Sequence, residues 1–117
     1  MNSPTTHSVI SRLVALSDEL DRLDEDLDRL DREATEAAHT YEVSYARVFL
    51  TAAGSVDSRK QQAVLACQNE KFAKEAAEQA LRTAERKFRK LTRQLEVGRS
   101  LNAAVRTEWT TQGVGQS

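Results

Sequence analysis

Leucine recurs in alternating steps of three and four through the first third of the chain. The positions are Leu13, Leu16, Leu20, Leu23, Leu27 and Leu30. Because this spacing places every leucine on one face of an α-helix, it predicts a coiled-coil seam, that is, a stripe of core residues along the helix. After Pro4 neither proline nor glycine occurs until Gly54. The pattern therefore predicts one helix over about residues 4–53.

A second repeat follows the break AAGSVDS. Gly54 suits the left-handed conformation that ends a helix, and Ser55 or Asp57 can cap the helix that follows. The predicted bounds are a turn at 54–57, a second helix over about 58–110 and a disordered tail at 113–117. The predicted core residues of the second helix are Leu81, Phe88, Leu91 and Leu95.

The two stripes match each other as an antiparallel pair. Residue numbers add to 111 for Leu16 with Leu95, Leu20 with Leu91, Leu23 with Phe88, and Leu30 with Leu81. Half of that sum lies between Ser55 and Val56, where the Gly-Ser break independently places the turn. The sequence therefore predicts an all-α fold, a long antiparallel two-helix hairpin that forms a single domain over residues 1–112.

Close to the turn we expect the stripe to shift, because the repeat would put Glu70 and Lys74 into the core. The residues expected to replace them are Leu65, Phe72, Ala76 and Ala80. Apolar side chains also spread over more of both helices there than a two-helix hairpin can bury. We therefore expect a homo-oligomer, with a dimer packed as a four-helix bundle favoured, or docking onto another protein. The residues predicted at that interface are Tyr41, Tyr45, Phe49, Leu65 and Phe72. Trp109, near the opposite end of the hairpin, is expected either to pack in the core or to anchor a partner.

Charge is unevenly distributed although the formal net charge is only −1. Residues 18–36 contain ten acidic and three basic side chains, and their antiparallel partners lie in the basic stretch TAERKFRKLTR. We interpret this match as fixing the register, since exposed pairs contribute only about 0 to 1 kcal/mol each. Five basic residues remain on the outside, where they form either an ordinary solvated face or a patch for anions or nucleic acid. They are Arg82, Arg86, Arg89, Lys90 and Arg93.

Composition and motifs argue against catalysis. A hydrophobic content of 39%, a charged content of 30% and a single proline are typical of a long helix. The chain has no glycine-rich phosphate loop and no nucleophile motif, and we expect Cys67 in the core. We therefore expect no enzyme activity, no metal and no cofactor. No apolar run approaches the roughly 20 residues of a membrane span, and a single cysteine fits a reducing compartment, so we expect a cytoplasmic protein with no membrane partner.

Two segments resemble a family of small helical proteins from phages of actinobacteria and other Gram-positive bacteria. The resemblance covers roughly Tyr41 to Trp109, and its clearest motifs here are ARVFLTAAGS and RSLNAAVRTEW. Genes of that family often lie among early replication and recombination genes. The resemblance therefore implies a role around DNA in the cytoplasm of a host cell, without implying an activity or functional residues.

Three hypotheses of function remain open. The first is a non-catalytic coiled-coil module that binds a phage or host protein through the apolar surface near the turn or through the end that carries Trp109. The second is an accessory nucleic-acid-binding protein of phage replication or recombination, which would use the five outer basic residues. The third is a scaffold for virion assembly, which would form higher-order oligomers.

Overall fold

The regular structure of the described residues is helical throughout. The computed structural model describes the backbone of residues 6–115 and the side chains of residues 7–108. Its elements are α1 (Thr6–Thr51), α2 (Val56–Ala66) and α3 (Gln68–Gly115), and no strand occurs within this range. The predicted all-α class is therefore confirmed.

The chain divides into two compact units. Unit 1 combines Met1–Glu25 with Arg86–Ser117, and unit 2 comprises Asp26–Glu85. Each unit thus takes one part of α1 and a part of the chain that follows the turn. The single domain expected over residues 1–112 stays a prediction.

In unit 1, α1 and α3 run in opposite directions. The Arg12 guanidinium donates a hydrogen bond from Nη2 to Gln94 Oε1 at 3.5 Å, and Lys87 Nζ lies 3.6 Å from Glu19 Oε1. The later residue of α1 thus contacts the earlier residue of α3, which defines an antiparallel pair. The buried apolar side chains of this unit are Val9, Leu16, Leu23 and Leu91.

In unit 2 the core follows the same repeat. Tyr41 of α1 contacts Lys74 of α3, whose ammonium lies 5.4 Å from the ring centroid. Along α2 and α3, the residues of the core stripe are buried or half-buried and follow one another in steps of four and three. They are Ala63, Cys67, Glu70, Lys74, Ala77, Leu81 and Ala84. The heptad repeat is therefore continuous in this unit.

The expected shift of the core near the turn is wrong. Glu70 and Lys74 remain in the stripe, half-buried, whereas Leu65, Phe72, Ala76 and Ala80 are all exposed. Lys74 is tolerated there because its aliphatic stem packs in the core while its ammonium reaches the Tyr41 ring and, at 4.0 Å, the Glu78 carboxylate. The stripe of core residues therefore keeps its phase although Glu70 and Lys74 occupy two of its positions.

Gly54 and Ser55 have the roles in the turn that the sequence predicts. The turn itself lies two residues earlier than expected, because α1 ends at Thr51 and α2 begins at Val56. Gly54 is the one described residue with a positive φ, 107°. Ser55 caps α2 by accepting a hydrogen bond from the backbone N–H of Ser58 at 3.2 Å. Gln62 Nε2 donates to the carbonyl oxygen of Ala53 at 2.9 Å, so a side chain of α2 holds the turn.

The second helix is longer than expected and is interrupted at one point. It begins at Val56, and its final segment extends to Gly115 rather than ending near residue 110. Cys67 separates α2 from α3 because its ψ of 22° departs from helical geometry. Hydrogen bonds nevertheless continue through it, from Cys67 N–H to the Ala63 carbonyl at 3.0 Å and from Lys71 N–H to the Cys67 carbonyl at 2.9 Å. The interruption is therefore a local distortion that leaves the repeat in phase.

Candidate protein-interaction surfaces

The structure places every predicted core residue on the contact side of its helix. Leu16, Leu23 and Leu91 are buried. The other seven are half-buried: Leu13, Leu20, Leu27, Leu30, Leu81, Phe88 and Leu95. These ten residues hold α1 against α3, and little of their surface is left for contact with a partner protein.

The residues predicted at an interface fall into different environments. The α1 residues Tyr41, Tyr45 and Phe49 are half-buried, and the rings of the two tyrosines lie 6.1 Å apart between centroids. Leu65 and Phe72 are exposed. The side chain of Trp109 lies outside the described residues. The five described residues of this set therefore do not share one environment.

A band of seven uncharged residues lies on the exposed side of α2 and α3. Its large members are Leu65 and Phe72, whose exposed fractions are 68% and 73%. They are seven positions apart and therefore lie one above the other after two helical turns. The other members, also exposed, are Ala66, Asn69, Ala73, Ala76 and Ala80. We call these seven residues the outer face.

The outer face is free of charge over its whole length. At about 100° per residue it spans about 120° of the helix, and no charged residue falls in that sector between Ser58 and Thr83. Apolar residues scattered singly are normal on a protein surface, but a contiguous apolar patch is typical of an interaction site. The spacing of Leu65 and Phe72 is visible in the sequence, where it predicts a shifted core instead.

Unit 1 contains an open apolar groove of about 490 Å³ between α1 and α3. Its apolar lining is Val9, Leu13, Leu16, Val97 and Leu101. Its polar lining is Ser8, Arg12, Lys90, Arg93 and Gln94. Gly98 lies on the floor, where a Cβ atom would approach Leu13 Cδ2 to 2.7 Å. The missing side chain lets Leu13 pack directly against the α3 backbone, a relation that no sequence pattern predicts.

The five outer basic residues are exposed, as their heptad positions predict. In unit 2, Arg82 donates from Nη2 to Gln79 Oε1 at 3.0 Å. In unit 1, Arg89, Lys90 and Arg93 make no hydrogen bond or ion pair with another described residue. A role of this patch in binding nucleic acid stays a prediction.

The charge match between the two helices is looser than expected. Glu19 of α1 pairs with Lys87 of α3 at 3.6 Å. Arg29 instead bridges two acids of its own helix, Asp26 at 3.5 Å and Glu33 at 3.1 Å. The hydrogen bond that Arg29 donates to the Glu33 carboxylate is the main cause that raises the pKa of the Arg29 guanidinium. Most of the acidic side chains in residues 18–36 are exposed to solvent. They therefore contribute only weakly to the register between α1 and α3.

Two chemically reactive groups lie in the core of unit 2. Burial raises the pKa of the Cys67 thiol, and the Glu70 carboxylate adds to the shift. A thiol of this kind is a poor nucleophile because little thiolate forms at neutral pH. Glu70 Oε2 is buried and has no hydrogen-bond partner among the described residues.

Within residues 7–108, no group of three or more histidine, cysteine or acidic side chains is arranged to hold a metal ion. None of the described helices has a stretch that is both long and apolar enough to cross a membrane. The chain matches no protein-family model, and comparisons with curated proteins and with solved structures give no match either. The resemblance to phage proteins therefore stays a prediction.

Proposed function

We propose that the chain is a non-catalytic protein–protein interaction module that self-associates through the outer face of unit 2. The observation that supports this proposal is the exposure of Leu65 and Phe72 within a sector that lacks charge. Two large apolar side chains in contact with water carry a hydration cost that association removes. The partner implied by the sequence resemblance is a phage or host protein, recruited by the assembled module.

The composition of the outer face favours contact with another helix. Four alanines lie beside the two large side chains, so a second helix can approach closely, and Leu65 and Phe72 can fill the spaces above its alanines. In a two-fold symmetric dimer the same face is used by both copies. The resulting assembly is the four-helix bundle of two coiled-coil hairpins that we expect from the sequence.

The size of the effect follows from burial. Fully burying a phenylalanine or leucine side chain stabilises by roughly 1.5–3 kcal/mol. Phe72 is about three-quarters exposed and occurs twice in a symmetric dimer, so its complete burial contributes roughly 2–5 kcal/mol to association. That corresponds to a change in the dissociation constant of roughly 30-fold to several thousand-fold.

Sedimentation velocity over a range of protein concentrations tests the proposal. The wild-type chain should sediment as a dimer at high concentration, and Phe72→Asp should shift it to the monomer without loss of helix content. Val97→Asp is the matched control, because Val97 is similarly exposed, at 69%, but belongs to unit 1. A wild-type chain that stays monomeric, or equal effects of both substitutions, would contradict the proposal.

A further inference from the structure

The groove of unit 1 combines an apolar floor with basic walls. We propose that it binds an amphipathic helix of a partner protein, one whose apolar stripe is flanked by carboxylates. This site is separate from the outer face of unit 2 and does not depend on self-association. It gives the module a second, chemically distinct binding surface.

The shape of the groove fits a helix. Val9, Leu13 and Leu16 line it from α1 at steps of four and three, and Val97 and Leu101 line it from α3. With a rise of 1.5 Å per residue, the lining extends over roughly 12 Å along α1, from Ser8 to Leu16, and roughly 16 Å along α3, from Lys90 to Leu101, or two to three helical turns. That length accommodates the i, i+3 or i+4, and i+7 side chains through which a helix docks into a groove.

The α3 wall of the groove is largely exposed to solvent. Val97 is 69% exposed and Leu101 is 42% exposed, although both line an apolar surface. Sites for small molecules instead enclose most of the ligand surface. An acyl chain lying here would keep much of its own surface in water, so a helix that covers the whole groove is the better occupant.

Charge selects the kind of helix. Three of the eleven lining residues are basic, Arg12, Lys90 and Arg93, and none is acidic. Lys90 and Arg93 have no partner among the described residues, and Arg12 makes one long hydrogen bond to Gln94. Carboxylates beside an apolar stripe would pair with these cations at the rim. A second copy docked groove to groove would instead place these cations against themselves, which disfavours a symmetric dimer at this site.

The binding experiment uses the full chain and two labelled helical peptides. Both peptides carry the same leucine stripe, one flanked by glutamates and the other by lysines, and fluorescence anisotropy reports binding. We expect the glutamate peptide to bind, with an affinity that falls as salt is raised, and the lysine peptide to bind at least about tenfold more weakly. Equal binding of both peptides, or no binding of the glutamate peptide, would overturn the proposal.

Charge reversal locates the site. Arg93→Glu should weaken binding of the glutamate peptide by at least about tenfold and improve binding of the lysine peptide. Arg89→Glu makes the same change outside the groove and should have a much smaller effect. Val97→Asp should abolish binding of both peptides, whereas Phe72→Asp should leave it intact, so this inference and the proposed self-association can fail independently.

Three further results would assign the groove to another occupant and overturn the inference. The first is complete displacement of the glutamate peptide by a fatty acid, which would indicate an acyl ligand. The second is complete displacement by a DNA oligonucleotide at the same salt concentration, which would indicate nucleic acid. The third is a self-association that Arg93→Glu abolishes, which would indicate a second copy.

Discussion

Removing the same atoms from two leucines should have very different effects on stability. Leu16 is 1% exposed in unit 1, whereas Leu65 is 68% exposed in unit 2. Leu16→Ala leaves a cavity in the core and should lower the free energy of unfolding by about 2–5 kcal/mol. Leu65→Ala loses only about a third of the burial of one leucine, so its cost should stay below about 1 kcal/mol in the monomer. The two substitutions barely differ in helix propensity.

Urea unfolding followed by far-ultraviolet circular dichroism measures both costs. The first series is recorded at a protein concentration at which sedimentation shows a monomer. The slope of the free energy of unfolding against urea concentration should not change between variants. At higher concentration the wild-type chain should gain stability by mass action, and the cost of Leu65→Ala should rise with it. Similar costs for the two variants in the monomer would refute the assignment of core and outer face. A cost of Leu65→Ala that does not depend on concentration would contradict association through that face.

Three other predictions concern the turn and the core of unit 2. Gly54→Ala should lower the free energy of unfolding by roughly 1–2 kcal/mol, because its φ of 107° strains an L-residue, while Ala53→Ser should change it by less than about 0.5 kcal/mol in the same urea assay. Glu70→Leu should raise stability by about 1–3 kcal/mol, because it removes a buried carboxylate oxygen that has no partner, and an unchanged or lower unfolding midpoint would show that this oxygen is hydrated. Cys67 should react with a disulfide reagent far more slowly in the folded than in the unfolded chain, and since its thiol pKa is raised in the fold, stability should decline as the pH passes above the ordinary thiol value of about 8.5. Cys67→Ala should abolish that alkaline decline, and fast native labelling at neutral pH would contradict the burial of the thiol.

The helical class and the paired stripes follow from the sequence because leucine spacing reports directly on the face of a helix. Leu16 and Leu91, which the register sum places in neighbouring layers, are both buried in unit 1. The turn was equally predictable, since Gly54 is the residue type that tolerates a positive φ and Ser55 is a preferred cap. Local chemistry is sufficient at these positions.

The errors arise where a side chain has two properties at once. Lys74 is charged at its end but apolar along its stem, so it occupies the core without shifting the repeat. Once Lys74 keeps its core position, Phe72 must lie on the opposite side, which turns an expected core residue into an exposed one. The backbone distortion at Cys67 could not be predicted from the sequence, because no proline or glycine lies near it.

The candidate surfaces depend on tertiary contacts to different degrees. The outer face can be read from the sequence once the phase of the core is known, because its seven residues are all uncharged. The groove requires the packing of Leu13 against Gly98 and the exposure of Val97 in the folded chain. The sequence predicts its basic walls only as part of a longer patch, without the apolar floor that makes them the walls of a binding groove.

A distance measurement between copies tests the central claim most directly. One nitroxide label at Gln79, which is exposed one heptad beyond Phe72, in a Cys67→Ala background provides a single spin per chain. Any dipolar coupling in pulsed electron paramagnetic resonance then arises between two copies. We predict a defined coupling at concentrations at which the chain sediments as a dimer, and its loss when Phe72→Asp is added. No coupling in the dimer, or a coupling that Phe72→Asp leaves unchanged, would contradict self-association through the outer face.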